Sequence, residues 1–298
     1  MNDTGIAAVI FDWAGTLVDF GCFAPTVSIV EVFSLRGIAL GMAEARGPMG
    51  LEKREHIRRL LALESVRIQW RAATGADPRP EDAEGVYEEL EPRLAEAVKR
   101  HARLVPGTLR LADELRAWGI RIGSTTGYLR PLMDILTAEA TAQGFTADAV
   151  VCPSDVPAGR PYPWMCYANA VLLGAYPPRR MVKIGDTPAD MQEGLNAGMW
   201  TIGVTLSGNE VGLSETEVGG LTAEERSGRV KDAEDRLLAA GAHYVTESVG
   251  SCRAILAAVE ERILKGEHPS RERQPREHPS HEHQPREHPH REGAHGRL

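Results

Sequence analysis

Ala8-Val-Ile-Phe-Asp12-Trp-Ala14-Gly-Thr-Leu-Val-Asp19 is the stretch whose reading decides the fold. The run from Ala7 to Phe11 is apolar, with β-branched Val9 and Ile10, and it stops abruptly at Asp12; Gly15-Thr16 follow within a turn. A strand buried on both faces of a parallel sheet has this composition. Ligands in such sheets sit just beyond the carboxyl ends of the strands, so Asp12 stands where a carboxylate can attack a substrate or hold a metal. An ordinary strand ending in an Asx-turn is the simpler account of a lone aspartate. The remaining chain decides between the two.

Beyond about residue 105, apolar segments alternate between two periodicities. Ile120–Ser124, Ala149–Cys152, Met181–Ile184, Thr201–Val204 and His243–Val245 read as strands. A stretch carrying Leu109, Leu111, Leu115 and Trp118, another from Leu129, then Pro161–Gly174, Pro188–Ala197 and Val249–Leu264 read as helices. Strands and helices alternating at this spacing predict parallel βαβ units. Between Asp19 and about residue 100 that rhythm stops. Pro25–Arg36, a charged helix from Leu51 to about Thr74, and Glu81–Arg103 are helical in spacing. They are divided by a loop at Ala45–Gly50 and a turn at Gly75–Pro80, with no strand signal. The expected architecture is α/β: a Rossmann-like parallel sheet core from 1–20 and 100–265, with a helical cap from 21–99 inserted after the first strand. Ser207–Lys231 reads as a polar loop with a helix starting near Thr222.

At 298 residues with 42% hydrophobic side chains, the chain can bury a sizeable core and a second module. A net charge of −8 gives no reason to expect nucleic acid or an anionic membrane as partner. Met1–Gly5 is polar and no uncharged apolar run is long enough to span a bilayer, so neither a signal peptide nor a membrane span is expected. Cys22, Cys152, Cys166 and Cys252 lie far apart without a C-x-x-C, the pattern of buried free thiols in a reducing cytoplasm. From 266 to 298 the character changes. E-H-P-S-R-E-R-Q-P-R repeats as E-H-P-S-H-E-H-Q-P-R, holds seven of the ten histidines and has almost no apolar residue. Such a composition predicts a disordered, solvated extension, with weak metal binding through the histidines as its other reading.

The motifs together carry a resemblance. D-W-A-G-T, beginning at Asp12, resembles the first motif of the haloacid-dehalogenase-like phosphotransferases, whose leading aspartate is the nucleophile. G-S-T-T-G at Thr126, G-R-P-Y-P-W-M at Arg160 and K-I-G-D-T-P-A-D at Asp186 and Asp190 follow in the family's order. Phosphatases of that superfamily carry an acid at position 14 to protonate the departing oxygen; this chain has Ala14. An enamine-type carbon leaving group needs no proton from that position, so the exchange points to the branch that cleaves a carbon–phosphorus bond.

In the cap, Pro48-Met49-Gly50-x-x-Lys53-x-x-His56 resembles that branch's Schiff-base motif. A carbon–phosphorus bond resists cleavage because the departing carbanion has nowhere to place its electrons. A protonated imine on Lys53 accepts them as an enamine. Lys53 is expected to have a lowered pKa, and His56, one helical turn on, to shuttle protons. Glu55 stands where the branch has aspartate. Met49 and Gly50 are expected to line the pocket, with Gly50 letting backbone approach closely. Thr126 would bind a phosphoryl oxygen and Arg160 would neutralise nucleophile and phosphoryl together. Asp12, Asp186 and Asp190, with the Ala14 carbonyl, suit Mg²⁺.

The resemblance implies conversion of phosphonoacetaldehyde and water to acetaldehyde and phosphate through an aspartyl-phosphate, in a homodimer packed through cap helices. Two other readings remain at this stage: a Mg²⁺-dependent phosphatase of the same superfamily acting on a monoester, and a non-catalytic metal-binding scaffold built on the tail.

Overall fold

Strand β1 (Ala8–Phe11) is buried at every residue and pairs in parallel with β2 (Arg121–Thr125) on one side and β4 (Met181–Gly185) on the other. The computed structural model describes residues 5–270; the expectations for the tail beyond Ser270 lie outside them. Among the described residues the sheet has six parallel strands in the order β3-β2-β1-β4-β5-β6, with β3 at Ala149–Val151, β5 at Trp200–Val204 and β6 at Tyr244–Thr246. The chain order reverses around β1, so a crevice opens at the carboxyl end of β1, where Asp12 follows. The Asp12 N–H donates to Ile184 O at 2.8 Å and fixes that residue between β1 and β4.

Five helices separate β1 from the next core helix: α1 (Phe23–Leu35), α2 (Met42–Arg46), α3 (Lys53–Leu61), α4 (Glu64–Thr74) and α5 (Asp82–His101). The single helix expected from Leu51 to Thr74 is two. The chain leaves helical geometry at Leu63 (φ −64°, ψ 135°), and Leu63 O then accepts the N–H groups of Val66 and Arg67 to start α4. No glycine or proline marks that break in the sequence. It is made by packing, since turning there buries Val66 and Trp70 of α4 beside Ile57 and Leu60 of α3. The expected loop at Ala45–Gly50 likewise begins inside the short helix α2.

The core helices are α6 (Thr108–Ala117), α7 (Arg130–Ala142), α8 (Trp164–Leu173), α9 (Pro188–Asn196), α10 (Glu215–Gly219), α11 (Ala223–Ala239) and α12 (Arg253–Leu264). In α6, Leu111 and Leu115 are buried as the spacing predicts, but Leu109 falls outside their stripe and is exposed. The expected Ser207–Lys231 excursion contains α10, capped by Ser214, and α11 starts one residue after Thr222, which is its N-cap.

Entry into the insert is a tight turn. Asp19 (φ +56°) and Cys22 (φ +54°) both take left-handed backbone conformations. Asp19 holds α1 by accepting the N–H groups of Phe23 and Ala24 at 2.9 and 2.8 Å, which satisfies two of the helix's open donors. The return segment meets it there, with Asp19 N–H donating to Arg103 O at 3.1 Å.

Candidate active site

Arg160, from the loop before α8, reaches into the crevice below Asp12. Its Nη2 lies 2.6 Å from Asp12 Oδ1, 2.9 Å from Thr125 Oγ1 and 3.0 Å from Asp190 Oδ1; its Nε donates to Glu193 Oε2 at 3.0 Å. Lys183, fully buried on β4, lies 2.8 Å from Asp190 Oδ1 and donates to Thr125 Oγ1 at 2.9 Å. The Thr125 hydroxyl donates in turn to Glu193 Oε2 at 2.9 Å. Buried charges of this kind persist when paired on several sides, and here each cation has at least two carboxylate partners.

Asp186 ends the same crevice at the loop after β4. Its Oδ2 accepts the Asn209 N–H at 2.7 Å, while its buried Oδ1 has no protein partner. Burial, reinforced by the charges of Asp12 and Asp190, pushes the Asp186 carboxyl well above its ordinary range. Burial also raises Asp12, against the pull of Arg160. At Asp190 burial raises the pKa too, but Arg160 and Lys183 outweigh it and the net direction is down.

Oxygens of Asp12, Asp186 and Asp190 lie within 4.8 Å of one another. When ionised, the four buried carboxylates Asp12, Asp186, Asp190 and Glu193 exceed the two paired cations Arg160 and Lys183 by two charges. The open Asp186 Oδ1 and that deficit both fit a divalent cation bound by hard oxygen ligands. The two oxygens of Asp190 are engaged otherwise, Oδ1 by Lys183 and Arg160 and Oδ2 by Thr187 Oγ1 at 2.5 Å. Asp12 and Asp186 are therefore the better placed of the three to meet an ion directly. Gly15 (φ +83°) packs against this cluster, and an added Cβ would come within 2.0 Å of Asp186 Oδ2.

The insert closes the crevice from above. Gly50 O accepts from Arg160 Nη1 at 3.2 Å, and a Cβ on Gly50 (φ +87°) would stand 2.2 Å from Thr187 Oγ1. The close backbone approach expected at Gly50 is thus present. Lys53 opens α3, whose N-cap Glu52 accepts the N–H groups of Arg54 and Glu55 at 3.0 and 3.2 Å. The Lys53 side chain is 3% exposed, with Nζ 3.8 Å from Met49 Sδ and 5.3 Å from the centroid of the Tyr128 ring. Among the described residues no carboxylate comes within ion-pair distance of it. Burial lowers its pKa, opposed by Cys22, Glu52 and Asp12.

His56 is fully buried, with Nε2 2.8 Å from Ala45 O. A carbonyl only accepts, so Nε2 carries the proton and Nδ1, which has no partner, is an open acceptor. Burial first, and the Lys53 charge second, bring the imidazole down to about 3.

Asp12, Ala14, Met49, Gly50, Lys53, Thr126, Arg160 and Asp186 line one pocket, together with Cys22 and Tyr128. Its free volume is about 20 Å³, space for a single water, so the insert is seated on the core. A roomier groove of about 450 Å³, lined by Ile6, Trp118 and Ile120, lies at the opposite, amino end of the strands, away from these groups. Of the residues singled out from sequence, His56 and Asp190 stand behind the pocket wall and the others border it. Thr126 borders it with its hydroxyl accepting the Tyr128 N–H at 3.0 Å. The hydroxyl inside the charge network is that of Thr125 instead.

Thr125, Lys183 and Glu193 escaped the sequence reading. Two of them carry a signal. Lys183 is a cation in an otherwise apolar strand, and Glu193 lies one helical turn after Asp190 on the same face of α9.

A parallel sheet reversing at β1, an aspartate at that strand's end, a buried cation against it and an acidic loop after β4 define a class of hydrolase. The chain belongs to the haloacid dehalogenase-like hydrolases, whose family model matches residues 6–198. Within the family, it is 48% identical over 267 residues to a phosphonoacetaldehyde hydrolase of Nitratidesulfovibrio vulgaris, covering 90% of this chain and 95% of that one. It is 47% identical to one from Bacillus cytotoxicus, covering 86% of this chain and 97% of the relative. A crystal structure of a phosphonoacetaldehyde hydrolase-like protein from Oleispira antarctica superposes with a TM-score of 0.88 at 39% identity, over 89% of this chain and 96% of that one.

Proposed function

We propose that this chain hydrolyses the carbon–phosphorus bond of phosphonoacetaldehyde, giving acetaldehyde and phosphate. The observation that carries the proposal is the pairing in one pocket of a buried, carboxylate-free amine, Lys53, with a buried carboxylate, Asp12, where Ala14 takes the place of a phosphatase's acid. The family relatives named above support the substrate.

The depressed pKa of Lys53 increases the fraction of neutral amine, the form that attacks the aldehyde carbon. Water leaves with a proton drawn from solvent and a protonated imine forms; His56, buried behind the pocket wall with its pKa brought down to about 3, stays a neutral imidazole in this step. Asp12 then attacks phosphorus. The carbon–phosphorus bond breaks, its electron pair enters the imine to give an enamine, and the phosphoryl group stays on Asp12. Water next attacks phosphorus, releasing phosphate and the Asp12 carboxylate. Protonation of the enamine at carbon and its hydrolysis release acetaldehyde and free Lys53. Arg160 faces the phosphoryl group as it moves, and Thr126 borders it. A divalent cation, Mg²⁺ in this proposal, fits Asp12, Asp186 and the Ala14 carbonyl with Asp190 behind them, and would supply positive charge to the phosphoryl oxygens. The helical insert acts as a cap that keeps bulk water from the imine.

The proposal includes a homodimer in the cytoplasm. Four unpaired cysteines fit a reducing compartment. Among the described residues no helix is long and apolar enough to cross a membrane. In this proposal the two copies pack through their cap helices, as the resemblance implies; exposed apolar side chains also gather on the core helix α8 (Trp164, Tyr167, Val171, Leu172). The test of function is acetaldehyde and phosphate release from phosphonoacetaldehyde, beside p-nitrophenyl phosphate. Equal formation of both products with little monoester turnover is expected; turnover of the monoester alone would make the chain a phosphatase.

A further inference from the structure

Asp186 is oriented by a loop that lies 23 residues further along the chain. The Asn209 N–H donates to Asp186 Oδ2, which leaves Oδ1 as the open oxygen beside Asp12. Asn209 is 4% exposed, and its side chain reaches the insert. Its Oδ1 accepts from Arg46 Nη1 at 3.2 Å and its Nδ2 donates to Arg46 O at 3.3 Å. Arg46 is the last residue of α2, seven before Lys53.

The same guanidinium donates to Gly21 O at 2.7 Å, in the segment that leads into the insert, and to Gly212 O at 3.1 Å, at the far end of the Asn209 loop. It also lies 5.2 Å from the centroid of the Phe23 ring. Gly212 (φ +65°) is shaped to receive it, since a Cβ there would stand 2.8 Å from Arg46 Nε. Guanidinium donors in a fixed fork suit several fixed carbonyls at once, which an ammonium point charge does not match.

We infer that Arg46 and Asn209 form a clasp that couples seating of the helical insert to the orientation of the Asp186 carboxylate. With α2 against the core, Arg46 holds Asn209 in place and the Asn209 N–H holds Asp186 with Oδ1 presented to the cation site. Both are positioning residues, and the inference rests on the proposed role of Asp186 in metal binding. Coupling of this kind is reciprocal: the factor by which a seated insert tightens cation binding is the factor by which the cation favours seating.

The test is Mg²⁺ binding by calorimetry on the full chain without substrate, for wild type, Arg46→Ala, Arg46→Lys, Asn209→Ala, Arg46→Ala/Asn209→Ala and Asp186→Asn. Loss of an outer-shell partner typically weakens metal binding about 10- to 100-fold. We expect about tenfold for Arg46→Ala and for Asn209→Ala, no further loss in the double variant, and little rescue by lysine. In a parallel digestion, Mg²⁺ should slow trypsin cleavage after Arg46 in wild type and not in Asn209→Ala. Asn209→Ala retains the backbone donor to Asp186, so it tests the clasp even where Arg46→Ala fails to fold. Wild-type affinity in Asn209→Ala, or additive losses in the double variant, would overturn the coupling. Unchanged Mg²⁺ binding in Asp186→Asn would instead overturn the metal-site reading on which it rests.

Discussion

Replacing Lys53 with methionine should abolish turnover and at the same time stabilise the fold. The side chain is 3% exposed, and its Nζ has a thioether at 3.8 Å and a ring face at 5.3 Å in place of a carboxylate. A cation–π contact returns about 1 to 2 kcal/mol when desolvated, whereas an incompletely paired buried charge costs several kcal/mol. Methionine has similar length and no charge to desolvate, so Lys53→Met should gain about 2 kcal/mol near neutral pH. The sign with pH follows from the lowered pKa. Below the folded-state value both states hold the proton and the folded state bears the full cost. As pH rises from there towards the unfolded value of 10.5, the unfolded state holds more protons than the folded one and wild-type stability recovers. The advantage of the variant must therefore shrink as the solution is made alkaline. Urea unfolding of both proteins at pH 7 and pH 9.5 measures it as a shift in midpoint, with a slope of roughly 1 to 3 kcal/mol per molar urea. A variant less stable than wild type, or a gap that widens with pH, would refute the assignment of Lys53 as a strained, functionally retained amine.

Three further outcomes are expected. His56 binds its proton at about pH 3 in the folded chain against 6.5 unfolded, so stability falls as pH drops through that window; His56→Gln should close on or overtake wild type by about 1.4 kcal/mol per pH unit, and parallel urea curves at pH 6.5 and 5 would contradict it. Gly50→Ala places a Cβ against Thr187 in a left-handed conformation, so about 1 to 2 kcal/mol of stability and at least about tenfold in kcat/KM should be lost; wild-type kinetics would show that the insert does not seat there during turnover. Glu193→Gln keeps its shape but removes a buried partner of Arg160 and Lys183, so unfolding should show a loss of about 3 kcal/mol, and a change under 0.5 kcal/mol, roughly the scatter of surface substitutions, would mean the network tolerates the vacancy.

The fold was legible because each core strand is a short apolar run delivering a polar residue at its carboxyl end: Phe11 to Asp12, Ile184 to Asp186. The residues proposed to act are tied to local motifs at those same strand ends and in the cap loop. What stayed hidden depends on packing between distant segments. The break at Leu63 has no glycine or proline and exists because α3 and α4 bury different faces. Thr125 and Thr126 are indistinguishable in G-S-T-T-G until the strand's alternation turns the Thr125 hydroxyl towards Arg160 and Lys183. Asn209 belongs to a stretch that reads as plain polar loop, and its contacts with Asp186 and Arg46 span 23 and 163 residues of chain.

Incubation of the full chain with phosphonoacetaldehyde and borohydride, followed by mass mapping, tests the covalent use of the cap amine most directly. The account predicts a single reductively trapped two-carbon adduct on Lys53, absent from Lys53→Met. An adduct on another lysine, or hydrolysis of the substrate with none trapped, would contradict it.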